Sequence, residues 1–107
     1  MNEPGRLYFA IGVDIDPELE DAFNDWYDTD HLPTVVGCPG FVTGSRYRSE
    51  QPGQPRYWAV YEVESRAALK TPELAAIAGF GRFEEAIVNQ QVMWFRSLVP
   101  VVRHDPG

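Results

Sequence analysis

Residues Phe23 to Phe41 read FNDWYDTDHLPTVVGCPGF. Aromatic and acidic side chains share this segment at helical spacing as far as His31, and then Leu32-Pro33 and Gly37-Cys38-Pro39-Gly40 interrupt it. Proline has no N–H to give a helical ladder, and it pushes the residue before it away from right-handed helix. The segment therefore predicts a helix that ends or kinks near His31, a turn, and a strand opening at Phe41. The flanking sequence decides which fold this unit belongs to.

Upstream, Leu7 to Ile15 (LYFAIGVDI) is a β-branched and aromatic run without proline, as a strand requires. Asp16-Pro17 then supplies an N-cap and an N1 proline, with Glu18 and Glu20 in the first turn where the helix dipole favours them. Leu19, Ala22, Phe23, Trp26 and Tyr27 fall on one face of that helix, and Glu18, Asp21, Asp25 and Asp28 on the other. The acid row reads as a solvated face.

Downstream, Phe41 to Arg48 (FVTGSRYR) and Arg56 to Glu64 (RYWAVYEVE) read as strands around the exposed loop EQPGQP, which suits a hairpin. Ser65 begins a second helical region, restarted at Thr71-Pro72-Glu73 and broken by Gly79 and Gly81 before a further stretch from Arg82 to Asn89. Val92 to Val102 (VMWFRSLVPVV) is the last predicted strand. The order is βαββαβ, an α+β ferredoxin-like arrangement with an antiparallel sheet and both helices on one face.

Such a sheet is expected to alternate dry and wet positions. Here both parities carry large apolar groups: Phe9 and Ile11 against Tyr8 and Ala10, Tyr61 against Trp58 and Val60, Met93 and Phe95 against Trp94 and Leu98. Something is expected to cover the side away from the helices, and a two-fold homodimer with sheet facing sheet is the economical solution.

The 107 residues suit one domain spanning 1–107, and 44% hydrophobic with 13% aromatic is globular composition. A net charge of −7, with eight arginines and one lysine scattered singly, argues against nucleic acid and anionic membrane as partners. The single Cys38 cannot form an internal disulfide, and two histidines beside it cannot build a Cys/His zinc site. No metal is expected. The opening MNEPGR does not read as a secretory signal, and no apolar run approaches the roughly 20 residues that span a bilayer. A cytoplasmic protein is expected.

The Phe23–Phe41 segment, followed by a strand ending in SRYR, resembles the EthD-like members of the dimeric α+β barrel superfamily. Their first helix reads aromatic-Tyr, acid, acid-His, apolar-Pro and then Pro-Gly-apolar. Here those elements are Trp26-Tyr27, Asp28, Asp30-His31, Leu32-Pro33 and Pro39-Gly40-Phe41. The resemblance implies a ferredoxin-like monomer, a sheet-to-sheet homodimer and a small-molecule pocket in each subunit. The wider superfamily includes cofactor-free monooxygenases, muconolactone isomerases, polyketide-tailoring dehydratases and haem enzymes, so the fold does not choose the reaction.

His31 is the first candidate for chemistry. On an ideal wheel with Phe23 at zero, Tyr27 lies at about 40° and His31 at about 80°, at the flank of the apolar face, with Asp30 near its centre. A carboxylate there needs a partner, and an imidazole beside it makes a general acid or base tunable across neutrality. The alternative is that both side chains tie down backbone groups at the helix end. Tyr27 either presents its hydroxyl to the same cavity or simply packs.

Trp26, Trp58, Tyr61 and Trp94 are the aromatic candidates for a flat-walled substrate pocket. Arg46 either grips an anionic ligand or makes an ordinary salt bridge. Cys38 has no nearby cation or base and is not expected to act as a nucleophile. The expected function is a cofactor-independent lyase, dehydratase or isomerase for an apolar or aromatic metabolite. His31, Asp30 and Tyr27 would carry the reaction. The alternatives are a cofactor-free monooxygenase of phenols and a non-catalytic ligand-binding protein.

Overall fold

The side chain of Asp16 accepts the N–H of Glu18 at 3.0 Å, and a 3₁₀ turn, Pro17–Leu19, leads into helix α1, Glu20–Trp26. The predicted cap thus opens the helix in the computed structural model, which describes residues 5–107; the first four residues of MNEPGR lie outside the described residues. Strands β1 (Leu7–Ile15), β2 (Phe41–Arg48), β3 (Tyr57–Val63) and β4 (Ile87–Arg96) form one antiparallel sheet in the order β2-β3-β1-β4. This is the ferredoxin-like arrangement, and β2 and β3 pair as the expected hairpin.

The first helix does not stop at His31. A π-helical turn, Tyr27–His31, joins α1 to α2, Leu32–Val36. There the N–H of Leu32 reaches back to the carbonyl of Tyr27, the i→i+5 bond of a π turn. Pro33 has no N–H for the ladder, and it occupies the first turn of α2, where none is needed. The hydroxyls of Thr29 and Thr34 donate to the carbonyls of Asp25 and Asp30, each at 2.7 Å, which satisfies backbone groups around the irregular turn.

The second helical region is shorter than its sequence suggests. It comprises a 3₁₀ turn Arg66–Lys70, helix α3 Pro72–Ala75 and a 3₁₀ turn Gly81–Ala86. Gly79 and Gly81 sit at φ 97° and 54°, which stops a continuous helix. Arg82 to Asn89 is not helical to its end, because Ile87 and Val88 pair with Ile15 and Asp14 of β1. The last strand ends at Arg96 rather than Val102. β1 begins at Leu7, and just beyond the paired strands the N–H of Ser97 donates to the carbonyl of Arg6 at 2.9 Å and the N–H of Arg6 to the hydroxyl of Ser97 at 2.8 Å.

The core lies between the sheet and the helical layer, around Phe23, Tyr27, Val35, Tyr61, Phe80 and Phe83. At Gly44 of β2 the two layers approach closely. A Cβ there would lie 2.6 Å from Cγ2 of Val36 and 3.1 Å from both Cδ1 of Leu32 and Cδ1 of Tyr61. Gly44→Ala is expected to cost about 1–3 kcal/mol by overpacking. Urea unfolding checks this, and an unchanged midpoint would mean that α2 shifts freely over β2.

On the opposite face, Tyr8 lies beside Phe95, Ala10 between Val60 and Met93, and Gly12 beside Trp58. Tyr47, Phe95 and Met93 are 58%, 48% and 44% exposed there. The face away from the helices is therefore substantially apolar, as its strand pattern predicts. Among the described residues no helix is long and apolar enough to cross a membrane.

Candidate functional site

Between the sheet and the helical layer lies a cavity of about 220 Å³. Phe9 and Ile11 of β1, Phe41 of β2 and Tyr61 of β3 form its sheet wall; Tyr27, His31 and Val35 face them from the helix. Leu74 and Phe80 close one side, and Glu84 and Gln90 stand at its exposed rim. Two larger hollows, one beside the β2–β3 loop and one beside Arg6 and Pro100, are open grooves lined in good part by charged side chains and chain ends.

The π turn brings His31 to this cavity. An i→i+5 turn holds more residues than the 3.6 of an α-helix, so each residue advances the wheel by less than about 100°. Over the turn that shortfall carries His31 from the flank back towards the centre of the buried face. Asp30, expected near that centre, is rotated out and exposed. His31 is only 8% exposed. Its ring stacks on Trp26, with centroids 4.6 Å apart and planes 16° apart, and meets Tyr27 edge-on at 4.9 Å.

Among the described residues no hydrogen bond reaches the imidazole, and none joins it to Asp30. Burial pushes the His31 pKa below its ordinary 6.5, with the Asp30 carboxylate opposing and the Arg46 cation reinforcing the shift. The imidazole is therefore neutral around pH 7 and suited to accept a proton.

The hydroxyls of Tyr27 and Tyr61 meet at 3.3 Å. Burial holds both above the ordinary tyrosine value of 10.0, so both stay protonated and able to donate. Arg46 lies behind them, its guanidinium carbon 4.3 Å from the centroid of the Tyr27 ring and its Nη1 2.8 Å from the Asp28 carboxylate. Its Nε is buried with no hydrogen-bond partner among the described residues.

Of the residues singled out in the sequence, Tyr27, His31 and Tyr61 come together in the cavity. Trp26 backs His31 without lining the space, and Arg46 backs Tyr27. Trp94 shares the helix-side face but packs on Phe9 at 4.9 Å, under Arg66 at 4.3 Å, rather than lining the cavity. Trp58 lies on the opposite face against Gly12, and its Nε1 donates to the carbonyl of Pro55 at 3.0 Å. Cys38 is buried with its thiol on the Thr34 carbonyl, and burial raises its pKa. No group of three or more potential metal ligands occurs among the described residues.

Sequence reasoning passed over Phe9, Phe41, Phe80, Glu84 and Gln90. Gln90 reaches the cavity because β4 carries one extra residue against β1: Gly12 pairs with Gln91 but Asp14 with Val88. Asn89 takes the bulge at φ 56°, and its side chain donates to Asp14 at 3.0 Å. An asparagine between strand residues was the available signal, since Asn tolerates the left-handed region. Glu84 accepts the N–H of Phe80 at 2.9 Å, which holds the rim beside Gly79.

A family model described as a domain of unknown function (DUF4286) matches residues 6–102. Among curated proteins no sequence matches this chain. Solved structures share its fold at low identity. A haem-degrading protein, MhuD, from Mycobacterium tuberculosis, solved with two haems in its active site, is 20% identical, with 90% of this chain and 99% of that one covered at a TM-score of 0.67. A putative antibiotic biosynthesis monooxygenase from Bordetella bronchiseptica is 15% identical over 89% and 99% of the two chains, with a TM-score of 0.68. A dimeric ferredoxin-like protein from an uncultured marine organism is 13% identical over 94% of each, with a TM-score of 0.66. These likenesses agree with the ferredoxin-like architecture.

Proposed function

This chain belongs to the DUF4286 family, a domain of unknown function, and we propose that it is a cofactor-independent acid/base enzyme for a small apolar or aromatic molecule. One observation carries the reading: a buried histidine, free of protein hydrogen bonds among the described residues, lines an apolar cavity together with two tyrosines whose hydroxyls meet at 3.3 Å. His31 takes a proton from the substrate and returns it elsewhere, as elimination and isomerisation both require. Tyr27 donates a hydrogen bond to the substrate. Asp30 acts only at a distance, offsetting part of the pKa depression of His31. Trp26 holds the imidazole plane, and Arg46 holds Tyr27.

The EthD-like resemblance of Phe23–Phe41 supports the same reading, as a single domain over residues 1–107. The apolar outer face supports a homodimer closed sheet to sheet, in keeping with a structural relative described as dimeric. The size of the cavity supports a ligand smaller than haem. A dry space of about 150 Å³ holds a benzene ring, and the roughly 220 Å³ here admits one substituted ring rather than a tetrapyrrole. A second reading, oxygen insertion into a phenol, draws support from the relative described as a monooxygenase. Oxygen uptake with a phenolic substrate separates the two.

The first test is an NMR pH titration of the two imidazoles, with His104→Ala to assign them. His31 is expected to titrate below 6.5 and to shift when a small aromatic compound binds. A His31 that titrates at 6.5 and ignores such ligands would remove the working imidazole and the reading with it.

A further inference from the structure

We propose that the paired hydroxyls of Tyr27 and Tyr61 receive a substrate oxygen as it gains negative charge, so that the cavity takes single-ring carbonyl compounds or phenols and stabilises their enolates or phenolates. This rests on His31 acting as the base and adds the substrate class. Two phenol hydroxyls 3.3 Å apart have two protons between them, and their mutual hydrogen bond uses one. No other partner takes the second among the described residues. One donor is therefore left over in a largely apolar space, and a ligand oxygen that displaces the mutual bond collects both. Two fixed donors on one oxygen, away from bulk water, stabilise developing charge strongly.

The surrounding charges favour the same polarity. The Arg46 guanidinium stands behind the Tyr27 ring, and its counter-ion Asp28 has a side chain 58% exposed and solvated. Positive charge thus sits inside the wall and negative charge outside it. Glu84 is the acid at the cavity rim, where one of its oxygens holds the N–H of Phe80.

With a β,γ-unsaturated ketone bound, the neutral imidazole of His31 removes a proton from the carbon between the carbonyl and the C=C bond. The C–H electron pair forms the new C=C bond, and the carbonyl π pair moves onto oxygen, held by the two O–H groups. The imidazolium then returns the proton at another carbon of the conjugated system. Atoms and charge balance without an oxidant or reductant.

The test uses 4-nitrophenol and its methyl ether, 4-nitroanisole, with the full chain. Wild type is expected to bind both, with 4-nitrophenol tighter by about tenfold or more, the worth of a hydrogen bond to a charged group. Bound 4-nitrophenol is expected to show the phenolate absorption band at a pH where the free compound is protonated. Tyr61→Phe and Tyr27→Phe are each expected to remove that preference, weakening 4-nitrophenol binding more than 4-nitroanisole binding. Equal binding of the two probes, a bound phenol without the phenolate band, or a preference that survives in both variants overturns the inference while leaving the apolar-cavity reading intact. If neither probe binds, both fall.

Discussion

Phe23→Ala is expected to remove about 3–5 kcal/mol of folding stability, a large share of the roughly 5–15 kcal/mol typical of a domain. Phe23 is 0% exposed, and its ring lies 5.5–6.3 Å, centroid to centroid, from those of Phe83, Tyr27, Trp26 and Phe80. It thereby joins α1, the π turn and the Gly81–Ala86 turn in one packed cluster. The short helical pieces after β3 have little hydrogen-bonded length of their own, so their order depends on such contacts. Chemical unfolding followed by tryptophan fluorescence measures the loss. A change below about 1 kcal/mol, well short of the usual range for a buried aromatic, would mean that the cluster repacks around the deletion.

The other large effect belongs to the proposed chemistry. His31→Gln is expected to lower turnover by about 10²- to 10⁴-fold, the usual contribution of a positioned acid/base group. The wild-type rate should fall on acidification only below the ordinary histidine value of 6.5, because burial and Arg46 lower the His31 pKa and Asp30 only partly restores it. The same shift makes stability depend on pH. Between the lowered folded value and the unfolded 6.5, the unfolded chain binds more protons. The contribution is therefore complete above 6.5 and is lost as pH falls towards the folded value. Glutamine does not titrate, so His31→Gln should flatten that slope. Turnover surviving in the variant would leave His31 as part of the wall only.

The order of elements along the chain, the hairpin and the apolar outer face were legible because strands announce themselves through composition and period, and LYFAIGVDI and RYWAVYEVE do so cleanly. Asp16-Pro17 was legible because a cap is local chemistry. The helical layer after β3 was not: positive φ at Gly79 and Gly81 and the pairing of Ile87 with Ile15 are tertiary outcomes. His31 was singled out but set at the flank of the buried face, and its neighbour Asp30 near the centre, because an ideal wheel assumes one helical pitch throughout. Trp58 and Tyr61 look alike in a strand of aromatics. Only the choice of which parity meets the helices sends one to the cavity and the other to the far face.

The π turn and the β4 bulge have a joint consequence. Each is a one-residue slip, and each lies where an element hands a polar side chain, His31 or Gln90, to the cavity. A regular helix or strand ties every residue to one rhythm, so the residues that pack and the residues that meet a ligand cannot be chosen separately. The slips let each element keep one beat for the core and start another for the cavity. Substitutions at the second can then accumulate without disturbing the first, which gives an old scaffold room to acquire new substrates.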